Sequence, residues 1–183
     1  MIILPSTFEY HKYGVDARFV TECDASFILE LRNNPRLARY IHSTDDDIVK
    51  QKEWIKSYKY REEKGLEYYF IYLVDGIPFG VNRLYNINLT DNSCSSGSWL
   101  CKQGTDINYA MSTFLIQGEI LFEKLKLDKN YFEVDKANKQ VLRFEKIRGA
   151  RFIGEDERSY KFCMDYDSHM KSCNRIKNLL NIK

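Results

Sequence analysis

The stretch EYYFIYLVDGIPFGVNRLYNINL, residues 67–89, constrains the fold more than any other part of the chain. Two runs rich in β-branched and aromatic residues flank the pair Asp75-Gly76. Such a pair reaches the left-handed dihedrals of a two-residue hairpin turn at small cost, so the runs pair antiparallel. Their apolar residues follow one another almost without alternation, which a strand tolerates where both faces are covered. The hairpin therefore belongs in the middle of a sheet.

The rest of the sequence supplies that sheet and its cover. FEYHKYGVDARFVT, 8–21, reads as an opening hairpin joined near Gly14, with Val15, Ala17 and Phe19 alternating against polar neighbours. DASFILELRNN reads as a helix with Asp24 as N-cap, ended by Asn33 and Asn34 before Pro35. A second helix starts from a capping box, Thr44 with Asp47, turns Ile48, Ile55 and Tyr58 inward and stops at Gly65. SCSSGSWLC, 93–101, is a strand of small residues that permits close approach of a backbone or ligand. The helix after it aligns Met111, Phe114, Gly118, Leu121 and Leu125 on one stripe. NYFEVD is a strand, and NKQVLRFEKIR a helix with Val141, Phe144 and Ile147 inward and Gly149 as its left-handed stop. SYKFCMDY is the last strand, followed by a helical tail, about 168–183, docked through Ile176, Leu179 and Leu180. Mixed strands and helices without a linker or repeat give one α+β domain over 1–183.

Charge and cysteine usage narrow the function. Lys and Arg number 28 against 26 Asp and Glu, a balance that builds no basic surface for nucleic acid. Five cysteines, 23, 94, 101, 163 and 173, are odd in number and without metal spacing, so neither a disulfide framework nor a zinc site is expected. The apolar start MIILP is too short for a signal segment and nothing else approaches a membrane span, so a cytoplasmic protein, monomer or homodimer, is expected.

The chain resembles the GNAT acetyltransferase superfamily. ARFVTECDASFILELRNNPRLARY is similar to the opening strand and helix of the branch with ribosomal-protein and nucleotide-sugar N-acetyltransferases, and an Arg-Asn pair ends that helix in both. NKQVLRFEKIRGARF places Asn138, Val141, Phe144 and Gly149 at the spacing of the family's helix before the last strands. The resemblance implies an α/β/α fold whose mixed, mostly antiparallel sheet splays between its fourth and fifth strands to admit acetyl-CoA. It also implies backbone contacts to the pantetheine arm from Trp99, Leu100 and Cys101, and a ligand role for Asn138, which is equally an N-cap, and for Phe144.

The family's phosphate loop reads Gln or Arg, two residues, Gly, one residue, then Gly or Ala. Here the stretch is Thr105-Asp106-Ile107-Asn108-Tyr109-Ala110, which keeps only the final small residue. Amides at a helix N-terminus hold a phosphate whatever the side chain, and Asn108 tolerates the left-handed conformation after glycine best. Asp106 adds a like charge beside the phosphate, Lys102 is placed to compensate, and weaker cofactor binding is expected. Without a ligand, Asp106 or Thr105 simply caps the helix.

Acyl transfer needs a polarised thioester, a neutral amine and a stabilised thiolate. Many relatives protonate the thiolate with a tyrosine, and Glu145 stands in that register. A carboxyl can be that acid only where burial raises its pKa; otherwise Glu145 is a surface ion pair with Lys146 or Arg148. Tyr85 and Arg83 on the third strand and His42 after the first helix are candidates for the acceptor pocket, and the resemblance sets Arg32, Asn33 and Arg36 beside the acceptor groove, where they either grip a phosphate or carboxylate of the acceptor or form a solvated helix end. These residues favour a small anionic amine, an amino sugar with or without a nucleotide, attacking directly in a ternary complex. A protein α-amine is the alternative acceptor, and a catalytically inert acyl-CoA-binding module the alternative class.

Overall fold

The computed structural model describes residues 2–41 and 44–180; His42 lies outside them. The opening hairpin forms as β1 (Glu9–Lys12) and β2 (Val15–Phe19), joined through Tyr13 and Gly14 at positive φ. The hairpin of residues 67–89 gives β3 (Tyr68–Val74) and β4 (Ile77–Asn88), turning on Asp75 and Gly76 at φ 50° and 76°. With β5 (Ser93–Cys101), β6 (Lys129–Asp135), β7 (Arg151–Glu155) and β8 (Ser159–Asp165) they make one sheet in the order β1-β2-β3-β4-β5-β6-β8-β7. Among the described residues, only β5 and β6 run parallel. The strand β7 carries no alternation the sequence reading could use: it is an edge strand with Phe152 and Ile153 exposed.

Helices cover both faces. On one, α1 (Ala25–Asn33) and α2 (Ile48–Glu63) pack Ile28, Leu31, Ile55 and Tyr58 onto Tyr69, Ile71 and Val81. On the other, α3 (Ile107–Gly118) sets Ile116 against Phe70, Tyr72 and Leu84, and its outer side meets α5 (Tyr166–Leu180) through Leu115, Cys173 and Ile176. The short α4 (Lys139–Arg148) joins β6 to β7 and ends on Gly149 at φ 78°. This is the expected α+β arrangement with a mixed, mostly antiparallel sheet.

Several local expectations are corrected. Asp24 does not cap α1 with its side chain; its carboxylate takes two 2.8 Å hydrogen bonds from Arg18 and one of 2.7 Å from the Thr21 amide. The cap of α2 is Asp47, which accepts from the amides of Val49 and Lys50, while Thr44 accepts from Arg32. The apolar stripe of α3 breaks because the helix continues as a π-turn over Glu119–Lys124, which buries Ile120, Leu121 and Phe122 in succession. In α4, Ile147 is 52% exposed; Glu145 and Arg148 take the inward positions as an ion pair. The final helix docks through Cys173 and Ile176, and Leu179 points to solvent.

Candidate active site

The strands β5 and β6 pair only at Ser93–Ser95 against Lys129–Tyr131. Beyond these pairs β5 continues to Cys101 and β6 to Asp135 without meeting, so the sheet opens into a cleft of about 160 Å³. One wall is the run Ser96–Leu100, whose backbone on that side has no neighbouring strand. Small side chains leave that backbone within reach of an extended ligand. Opposite Asn82, β5 carries an extra residue: Val81 pairs with Leu100 and Arg83 with Gly97, leaving Ser98 and Trp99 to oppose one residue. Ser98 takes φ 52°, a left-handed conformation rare for a residue with a Cβ. Such strain is kept where the surroundings hold it, and here it lies on the cleft wall.

The floor is polar and only partly satisfied. Glu145, 2% exposed, accepts a 2.9 Å hydrogen bond from Arg148, 7% exposed. The Arg148 guanidinium lies 4.7, 5.8 and 5.5 Å from the ring centres of Phe114, Phe132 and Phe144, an aromatic enclosure that holds a desolvated cation. Glu145 Oε2, Arg148 Nε and Asn82 Nδ2 are buried without a hydrogen-bond partner among the described residues, and all three side chains line the cleft. Buried polar groups are seldom left so, and three in one cavity mark a place where water or a ligand completes the bonding. Burial pushes the Glu145 carboxyl up from its ordinary value, against the pull of Arg148. The sequence reading of Glu145 as a surface ion pair is therefore corrected: the pair exists, with Arg148, inside the cleft.

The other expected residues divide. Trp99 and Leu100 line the cleft, and the Trp99 indole donates to Thr113 Oγ1 at 2.8 Å. Asn138 lines it too and caps α4 through the Val141 amide. Phe144 stands behind the wall, 4.9 Å from Phe114. Burial pushes the Cys101 thiol up to about 12, which leaves it without thiolate at neutral pH. In the loop, Asp106 Oδ1 accepts from the Asn108 amide at 2.7 Å and Thr105 Oγ1 donates to the Lys102 carbonyl. The left-handed residue is Gly104, φ 86°, and not Asn108, which is helical. Lys102 is drawn away to Glu30, 3.1 Å distant. Ile107 is 58% exposed, whereas Tyr109 packs on Phe79 and Ala110 is buried in the helix.

On the face covered by α1 and α2, Arg32 and Arg83 line one hollow with Trp54 and Tyr69. Tyr85 lies across Gly97, where an added Cβ would stand 3.0 Å from its hydroxyl. Burial raises the Tyr85 pKa, so the phenol is a donor at neutral pH. Asn33 is turned elsewhere, to Asp46 at 2.9 Å, and Arg36 is exposed. Asn82 and Ser98 escaped the sequence reading, which met Arg148 only as a surface partner of Glu145; the small-residue run 93–98 was the signal near Ser98. Among the described residues no helix is long and apolar enough to cross a membrane.

Among solved structures, the chain is 34% identical to FdhC, a nucleotide-linked sugar GNAT solved in its apo form, with a TM-score of 0.84 over 97% of this chain and 99% of that one. A spermidine N-acetyltransferase from Vibrio cholerae, in complex with CoA and spermine, is 17% identical with a TM-score of 0.73, over 86% of this chain and 98% of that one. A ribosomal-protein alanine acetyltransferase from Vibrio fischeri is 14% identical with a TM-score of 0.72, over 87% and 97%. No protein-family model and no curated protein matches the chain. The chain belongs to the GNAT acetyltransferase superfamily. It is an acyltransferase.

Proposed function

We propose that residues 1–183 form one GNAT domain that transfers an acetyl group from acetyl-CoA to the amine of an amino sugar, nucleotide-linked or free. The observation that carries this is the cleft between β5 and β6, with its unpaired β5 backbone and three orphaned polar groups on its floor. The residues present fit an acyl-CoA: Ser96–Leu100 offer backbone to an extended pantetheine arm, and Asn138 offers a carboxamide beside it. Bound acetyl-CoA supplies the activated acyl group. The protein orients it against the amine, and a β5 amide polarises the carbonyl. Glu145, whose carboxyl burial raises from its ordinary value, gives a proton to the departing sulfur while water takes the proton of the attacking amine, and Arg148 balances the carboxylate that remains.

The test is release of free CoA with a panel of primary amines. Amino sugars and their nucleotide derivatives are the expected substrates. Turnover of peptides beginning with Ser or Ala, and not of sugars, would overturn the acceptor; acetyl-CoA binding with no turnover of any amine would favour an inert module.

The start of α3 carries a second expectation. Its Asn108 amide already holds the Asp106 carboxylate, so a pyrophosphate placed there meets a like charge. Asparagine caps about as well as aspartate. Asp106→Asn should therefore leave the melting temperature nearly unchanged and tighten acetyl-CoA binding about threefold to tenfold by calorimetry, the effect of removing one charge at roughly 6 Å in a partly solvated site. Unchanged affinity would put the pyrophosphate elsewhere.

A further inference from the structure

The orientation of the Asn82 carboxamide is fixed from behind. Asn82, 1% exposed, pairs with Phe70 across the β3–β4 ladder, and Tyr72, two residues further along β3 on the same face, reaches it diagonally. The Tyr72 hydroxyl donates to Asn82 Oδ1 at 2.9 Å. Tyr72 is fully buried, and that burial holds its pKa well above the ordinary value, so the phenol keeps its proton. Among the described residues the proton has no other acceptor. Turning the amide over would leave it unpaired in the core, so the oxygen stays toward Tyr72. What Asn82 presents to the cleft is therefore Nδ2, whose N–H groups have no partner.

A donor locked in this way has a restricted chemistry. It cannot take the proton of the attacking amine, because its acceptor atom faces Tyr72. It can meet an oxygen on which negative charge grows. Asn82 stands opposite the β5 bulge, facing Ser98 and Trp99, and lines the same cavity as Glu145. The oxygen and the sulfur of a thioester sit on one carbon, so the groups that serve them must share one cavity. We propose that Asn82 Nδ2 donates to the thioester carbonyl oxygen, as a second donor beside the β5 amide, and that Tyr72 is the positioning residue that keeps Nδ2 turned inward. Asn82 holds the electron pair displaced onto that oxygen while the nitrogen–carbon bond forms. It releases the pair as the carbon–sulfur bond breaks, when the sulfur takes the Glu145 proton and water has taken that of the amine. The assignment rests on the acetyl-CoA reading above. An amide carbonyl of the pantetheine arm is the other oxygen such a donor would suit, and the experiment separates the two.

Acetyl-CoA isotopically labelled at the acetyl carbonyl is bound to the wild-type protein and to the Asn82→Ala, Tyr72→Phe and doubly substituted variants. Difference infrared spectroscopy reads the bound carbonyl band with no acceptor present. The wild-type band is expected below that of free acetyl-CoA, to move back toward it in Asn82→Ala, and to move back by less in Tyr72→Phe. Affinity for CoA, which lacks this carbonyl, is expected unchanged by calorimetry and shows the variants to be folded. With an amine turned over in the panel above, kcat falls about tenfold to thirtyfold in Asn82→Ala, less than for a sole oxyanion donor because the β5 amide remains. Adding Tyr72→Phe to Asn82→Ala lowers kcat no further, since the phenol acts only through the carboxamide. A carbonyl band at the wild-type frequency in Asn82→Ala overturns the proposal, and weaker CoA binding alongside it gives the donor to the pantetheine arm. A further, additive loss from Tyr72→Phe overturns the positioning role. Should Asn82→Ala fail to fold, the band in Tyr72→Phe decides alone. Failure of acetyl-CoA to bind the wild-type protein identifies the broader reading as the one at fault.

Discussion

Replacing Gly118 with valine lowers the melting temperature by about 6–12 °C. Gly118 ends α3, and a Cβ built on it would stand 1.9 Å from His169 Cε1 and 2.4 and 2.5 Å from the ring nitrogens. The ring has nowhere to go. It is 3% exposed, its centre is 5.1 Å from that of Phe122, and the Cys173 sulfur lies 3.2 Å from Nε2. Burial first, then the nearby Arg148 cation, push the imidazole down to about 4, so it packs as a neutral ring at pH 7. Overpacking of this kind costs about 3 kcal/mol, and a chain of this length loses about 2–4 °C per kcal/mol. Thermal melts followed by circular dichroism check the value. Adding His169→Ala to the valine variant should restore part of the loss, since the two sites are coupled through one contact; strict additivity would show that the helices do not meet there.

Gly118 also marks where sequence patterns stop being informative. The hairpins and most helix ends were legible because their causes are local: Asp75-Gly76 at a turn, Gly65 and Gly149 at left-handed helix ends, Pro35 after α1. The stripe through Met111, Phe114 and Gly118 assumed a constant helical period, and the π-turn at Glu119 shifts it. That turn brings Glu119 under Tyr10, Lys12 and Tyr13, residues more than a hundred positions away, and no local pattern announces them. The same limit applies to the site. The open strands were readable as a resemblance and the small residues of β5 as a hint, but the cleft's polar floor comes from Asn82 on β4 and from Glu145 and Arg148 on α4, more than sixty positions further on. The resemblance put Glu145 in the register of the acid, but the sequence left open whether it is buried there or paired at the surface. Only the three phenylalanines around Arg148 show that this turn of α4 faces inward.

That inward turn sets the largest kinetic effect. Glu145→Gln should lower kcat for acetyl transfer about a hundredfold, roughly 2.7 kcal/mol of transition-state stabilisation, while acetyl-CoA affinity changes little. Glutamine keeps the shape and a hydrogen bond to Arg148, so packing is retained and only the transferable proton is lost. The pH dependence separates this role from a structural one. A carboxyl whose pKa is raised by burial is protonated below that value and acts as an acid there. Wild-type kcat should therefore fall as pH rises through the raised pKa of Glu145, and that descending limb should vanish in the glutamine variant. An unchanged kcat would reduce Glu145 to the counter-charge of Arg148. A hundredfold loss with the descending limb intact would assign the proton to another group, with the phenol of Tyr85, lying across Gly97 at the cleft edge, next to be tested by Tyr85→Phe.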